Sequence, residues 1–170
     1  ESILALLKEV NEKLGITIVL ITHEMSVIKA ICKKVAVMEQ GRVVEVGEVY
    51  DIFADPKEEI TKKFISSQSS LSKFNKIAEG AKAGGKNLIK LQFRKEAVGD
   101  SLISTVSRKF NVDLNIVLAN VDMIQKNPLG EIIVEIKGQD ENVRQSLAYV
   151  KEQGVFVFNY NEKNADWEVA

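Results

Sequence analysis

The sequence predicts two units in tandem, an α/β segment followed by an α+β domain of strand-helix-strand-strand-helix-strand order. Three observations lead there. Residues 16–22 (ITIVLIT) are β-branched and apolar on both alternating faces, as in a strand buried on both sides of a parallel sheet. Residues 66–86 open with five serines in seven positions and end near Gly80, Gly84 and Gly85, which is linker composition. Beyond residue 87, runs with strand period alternate with runs with helical period.

In the first unit, residues 1–65, Ile3, Leu4, Leu6, Leu7, Val10 and Leu14 fall on one helical face and Gly15 follows, so residues 1–14 predict an amphipathic helix in need of a sheet to cover. Residues 16–22 predict a strand, and a strand buried on both faces implies neighbours. Residues 24–34 carry Met25, Ile28, Ile31 and Cys32 on one side, an acid at the start and Lys33-Lys34 at the end, matching a helix and its dipole. Residues 35–38 predict a second strand. Together these give a strand-helix-strand unit, which geometry makes right-handed and parallel. Glu39-Gln40-Gly41 turns the chain into residues 42–46 as a hairpin. Two short helices, 48–53 and 57–65, are separated at Asp55-Pro56.

The linker spans 66–86, with room for a helical turn or two in 71–78. The second domain, 87–162, is predicted as strand 88–94, helix 98–110, strand 114–124, turn 127–130, strand 131–137, helix 140–153 and strand 155–160, with 163–170 as a tail. This is the βαββαβ order of a ferredoxin-like domain. Asp100 and Asp140 supply helix starts, and Gly138 and Gly154 bracket the second helix.

Composition bounds the function. The chain has 170 residues, 45% of them hydrophobic, enough for a packed core. Lysine plus arginine number 23 against 24 acids, a formal charge of -1, which leaves no electrostatic footprint for nucleic acid. No apolar run reaches the roughly 20 residues of a membrane-spanning helix. With one cysteine, Cys32, and one histidine, His23, no Cys/His metal cluster is available and no metal is expected. The chain opens at Glu1 inside a helical pattern, so it reads as a fragment of a longer protein.

His23 directly follows the predicted buried strand, where ligands sit in open parallel sheets. Its plainer use is to cap the next helix or pack at the sheet edge. The segment Ile18-Val19-Leu20-Ile21-Thr22-His23-Glu24 resembles the switch-histidine segment of ABC ATPases. Val35-Ala36-Val37-Met38-Glu39-Gln40-Gly41-Arg42 resembles the strand-turn-strand that follows it, and Val46-Gly47-Glu48-Val49-Tyr50-Asp51-Ile52-Phe53 the closing segment. The resemblance implies an α/β remnant of an ABC (P-loop type) ATPase domain in which His23 contacts the γ-phosphate of ATP. No G-x-x-x-x-G-K-[ST] phosphate loop occurs, and neither the signature segment nor an acid-terminated strand for magnesium. Gly84-Gly85-Lys86 lacks the spacing and the following Ser/Thr of a phosphate loop and belongs to the linker. ATP and magnesium are thus expected in the full subunit, and this chain alone is expected not to hydrolyse ATP.

In the second domain, Arg108-Lys109-Phe110-Asn111-Val112-Asp113-Leu114-Asn115-Ile116-Val117 resembles the helix-to-strand corner of the NIL-type regulatory domain of methionine-import ATPases, with Asn115-Ile116-Val117 at the Asn-Ile-Leu triplet. The resemblance implies a homodimer that binds methionine near this corner and restrains uptake when internal methionine is high. Asn115 is the expected ligand residue, with Asp113 and Ile116 beside it, since an amide supplies both donor and acceptor to an amino acid. A local backbone bond is the alternative for Asn115, and turn chemistry for Asn111 and Asp113. The family further implies a membrane permease, an external methionine-binding protein and a peripheral position on the cytoplasmic face of the cell membrane. Two other readings are a free-standing amino-acid-sensing or dimerisation module, and an RNA-binding module suggested by Phe156, Phe158 and Tyr160. The second lacks the glycine-aromatic RNA-binding pattern and a basic surface.

Overall fold

The computed structural model describes residues 3–68, 87–94, 101–161 and 166–170. These divide into two compact units, one formed by residues up to 68 with Met123–Asn127 and one by the remainder. The predicted linker, apart from its first residues, and the helix start near Asp100 lie outside the described residues.

The first unit begins with helix α1 (Ile3–Leu14), ended by Gly15 at φ 65 with its N–H on the Asn11 carbonyl at 3.0 Å. Its apolar face is only partly covered: Leu4, Leu7 and Val10 are half-buried, no α1 residue is fully buried, and Ile3 is 76% exposed. The predicted strand at 16–22 does not form. That stretch is irregular, and Val19 and Ile21 are 82% and 101% exposed. A strand exists only through hydrogen bonds to neighbours, and among the described residues none lies alongside. The predicted parallel strand-helix-strand unit is corrected with it.

Helix α2 (Met25–Ile31) is shorter than expected because Lys34 already belongs to strand β1 (Lys34–Glu39). β1 pairs antiparallel with β2 (Arg42–Glu48) as the predicted hairpin. Gln40 and Gly41 both take positive φ, 49 and 77, the geometry that two-residue hairpin turns favour. Helix α3 (Val49–Ala54) buries Val49, Ile52, Phe53 and Ala54, and stops at Asp55 before Pro56. Helix α4 (Glu59–Gln68) is capped from β2: the Glu45 carboxylate accepts the N–H groups of Lys57 at 2.9 Å and Glu58 at 3.2 Å. Burial pushes the Glu45 carboxyl up, but the neighbouring Thr61 side chain, the hydrogen bonds from the Lys57 and Glu58 N–H groups and the Lys57 charge outweigh it and hold it below its ordinary value.

The second unit is a five-stranded sheet in the order β4-β5-β3-β6-β7, formed by β3 (Leu88–Arg94), β4 (Asp113–Ile124), β5 (Asn127–Lys137), β6 (Phe156–Asn161) and β7 (Asp166–Val169). β3 runs antiparallel to β5 and to β6, and β6 to β7. Helices α5 (Leu102–Phe110) and α6 (Asp140–Glu152) cover one face. Alternate residues meet them there: Ile89, Leu91 and Phe93 of β3, Val134 and Ile136 of β5 and Val157 of β6 form one core with Leu102, Val106 and Val150. Leu88 and Ile133 point to the other face and pack with Val117, Leu118, Tyr160 and Trp167.

Two expectations change here. The turn falls at Gln125-Lys126, with Gln125 at φ 57, and residues 127–130 are strand. Pro128 is the second residue of β5, and the beginning of a strand is a position where a sheet tolerates proline. The expected tail contains β7, held by the cross-strand pair Tyr160 and Trp167, whose rings are 5.1 Å apart, and by the Ala170 N–H on the Val157 carbonyl at 3.0 Å. Among the described residues, no helix is long and apolar enough to cross a membrane.

Candidate functional site

The corner between α5 and β4 is built by local chemistry. Asn111 ends α5 at φ 51, a left-handed position that asparagine tolerates, so its role is the turn. The Ser107 hydroxyl donates to the Val112 carbonyl at 2.7 Å, and Val112 is 2% exposed. Gly138 lets the β5-to-α6 connection close on this corner: a Cβ there would lie 2.9 Å from Val112 Cγ1.

β4 then carries Asp113 and Asn115 outward, both exposed. Strand alternation puts them on one face and Leu114 and Ile116 on the other; Leu114 packs against the helix-side core, and Ile116 is 51% exposed. The structure therefore brings Asp113 and Asn115 together and leaves Ile116 opposite. Asn115 does not use its amide on its own backbone: Nδ2 donates across the sheet to Glu135 Oε2 at 3.4 Å. Glu135 is 3% exposed, and its Oε1 is 3.0 Å from Lys137 Nζ. Sequence reasoning passed over Glu135 and Lys137. The available signal was an acid two residues from a lysine on one face of an apolar strand.

The same face continues over β3, β6 and β7. Lys90 Nζ lies 4.4 Å from the Phe158 ring centre and 4.0 Å from Glu131 Oε1, and the Arg94 guanidinium stacks 3.7 Å above Phe156. These cations are engaged with aromatic and acidic neighbours within the sheet.

His23 lies in a bend just before α2 and is exposed. The turn is fixed by the Glu24 N–H donating to Thr22 Oγ1 at 3.0 Å. His23 lines a groove of about 800 Å³ with Leu7, Thr17, Ile21, Met25 and Ile28. Those walls are largely apolar, and among the described residues no cluster of three histidine, cysteine or acidic side chains could hold a metal ion, so the described residues of this unit do not by themselves fit ATP with magnesium. Cys32, on the same groove, has its thiol pushed above its ordinary value by burial.

Residues 87–157 match the NIL domain family. The chain is 47% identical over 146 residues to methionine import ATP-binding protein MetN 3 of Oceanobacillus iheyensis, an alignment covering 85% of this chain and 43% of that protein. It is 42% identical over 158 residues to methionine import ATP-binding protein MetN of Lactococcus lactis subsp. cremoris, covering 89% and 42%. The chain thus spans less than half the length of these relatives. A crystal structure of the C-terminal domain of an ABC transporter / ATP-binding protein from Enterococcus faecalis aligns with a TM-score of 0.44 at 15% identity, over 51% of this chain and 97% of that one. With identity of this level over 85–89% of its length, the chain belongs to the family of methionine import ATP-binding proteins, of which it carries a NIL-domain-bearing segment.

Proposed function

We propose that this chain is the amino-acid-sensing part of the ATP-binding subunit of an ABC importer for methionine. Its second unit is read as a ferredoxin-like regulatory domain, a reading supported by the strand order and by both helices lying on one face. The observation that carries the proposal is the Asn115 amide, exposed at the start of β4 and turned across the sheet rather than onto its own backbone. An amide so presented can meet both the ammonium and the carboxylate of a free amino acid.

Methionine bound by a pair of these domains stabilises a separated arrangement of the two ATPase subunits, and uptake falls as the population shifts. In the full subunit His23 takes the γ-phosphate contact of ATP, with magnesium held by groups beyond this sequence. No hydrolytic step is assigned to the described residues. The partners are a second copy of the chain, the membrane permease and, through it, the external methionine-binding protein. The subunit sits peripherally on the cytoplasmic face of the cell membrane.

Calorimetry tests the sensing role. The 170-residue chain is expected to bind methionine, and Asn115→Ala to weaken that binding by roughly tenfold, the worth of one polar contact to a charged ligand group. Methionine affinity unchanged in Asn115→Ala rejects the role of this residue.

A further inference from the structure

Glu135 is a carboxylate almost removed from water, and such a group persists only when paired. Its two oxygens face different partners. Oε1 meets Lys137 Nζ at 3.0 Å, and the lysine side chain is 66% exposed, so the pair runs from the sheet interior to the surface. Oε2 meets the Asn115 amide at 3.4 Å, the long end of the hydrogen-bond range and well beyond the usual optimum. That second contact is one a stronger donor can displace, and Asn115 is exposed, which opens the side from which such a donor arrives.

The polar set borders an apolar patch. Leu88 pairs directly with Glu135 across the sheet, and belongs to the cluster holding Ile133, Val117, Leu118, Tyr160 and Trp167. Val117 is two residues from Asn115 on the same strand, hence on the same face. A carboxylate, an ammonium and an amide beside an apolar surface are complementary to a zwitterion with an apolar side chain.

We infer that Glu135 and Lys137 form, with Asn115, the zwitterion-recognising set of the amino-acid site. The ligand's α-ammonium replaces the Asn115 donor on Glu135 Oε2 as a charge-assisted hydrogen bond. Lys137 receives the α-carboxylate, Asn115 bridges the two, and the ligand side chain lies along the Leu88 and Val117 surface. This rests on the reading of the domain as an amino-acid sensor, and adds to it the two charged residues that select the class of ligand.

Calorimetry on the full chain tests the inference with four probes: methionine, leucine, the deaminated analogue that keeps thioether and carboxylate, and methionine amide, which keeps the ammonium but no carboxylate. For the unaltered chain, methionine is expected to bind roughly tenfold or more tighter than either truncated analogue. Glu135→Gln is expected to weaken methionine by a similar factor and to leave the deaminated analogue unchanged. Lys137→Ala, at an exposed side chain, is expected to weaken methionine and leave methionine amide unchanged. Equal weakening of methionine and the deaminated analogue in Glu135→Gln assigns Glu135 to structure alone and overturns the inference, as does equal binding of all probes to the unaltered chain. Binding of leucine in place of methionine, lost in Glu135→Gln, upholds the zwitterion set while rejecting methionine as the ligand. Binding of neither amino acid rejects both.

Discussion

Residues 16–22 and strand β3 are segments of the same length that both read as strands in the sequence, and the chain treats them in opposite ways. β3 lies between β5 and β6, and Ile89 and Leu91 are 1% and 2% exposed. Residues 16–22 are richer in β-branched side chains, yet they form no strand and leave Ile21 fully in solvent. The difference is one of partners. A sequence supplies the tendency to extend and the apolar surface, but the ladder and the burial come from neighbouring strands. In the second unit every neighbour of β3 lies within the chain; in the first, among the described residues, those of 16–22 do not.

The comparison is open to direct attack by truncation. Leu91→Ala removes side-chain volume from a closed core and is expected to destabilise the second unit by about 2–5 kcal/mol, whereas Ile21→Ala is expected to change stability by no more than about 0.5 kcal/mol. Urea denaturation of the two variants checks the pair. A large loss in Ile21→Ala would show that residues 16–22 are covered in solution.

A smaller effect is expected at the corner that presents Asn115. Gly138→Ala puts a methyl group 2.9 Å from the branched, buried Val112, and overpacking of this kind costs about 1–3 kcal/mol. The thermal midpoint of the variant measures the cost. An unchanged midpoint means that the Val112 corner yields freely, and that the position of Asn115 is less fixed than the contacts suggest.

The smallest effect belongs to the first unit. Glu45 caps the start of α4 with its carboxyl held below the ordinary value of 4.5. The stabilisation is therefore fully present above that value and is lost as pH falls through the lower folded value. Glu45 is largely solvated, so screening limits the contribution to about 0.5 kcal/mol or less. Thermal melts across the acid range should show a shallow loss that Glu45→Gln removes; an identical slope in the variant would transfer the effect to other carboxylates.

What could be read from the sequence followed the same rule of partners. The alternation of β3, α5, β4, β5, α6 and β6 was legible because each element announces its period locally and all of them assemble with one another. The α5-to-β4 corner was legible because Asn111 and the residues after it carry turn and strand chemistry in one short stretch. Three things were not. The turn at Gln125-Lys126 lost to the stronger Asn-Pro-Leu-Gly signal, which is overridden because Leu129 and Gly130 pair with Arg94 and Phe93 of β3. β7 was missed because four residues after the last helix make sense as a strand only once Trp167 faces Tyr160. Glu135 was missed because its link to Asn115 crosses 20 residues of sequence, a distance that only the sheet closes.

The placement of one ring has an optical consequence. Trp167 is the chain's single tryptophan, and it stands on the outermost strand β7, 5.1 Å from Tyr160 and 5.5 Å from the Lys90 ammonium. Its emission is therefore a built-in beacon for one edge of that sheet. Recorded through a thermal or urea transition, it lets the melting of the second unit's sheet be followed without any label being attached.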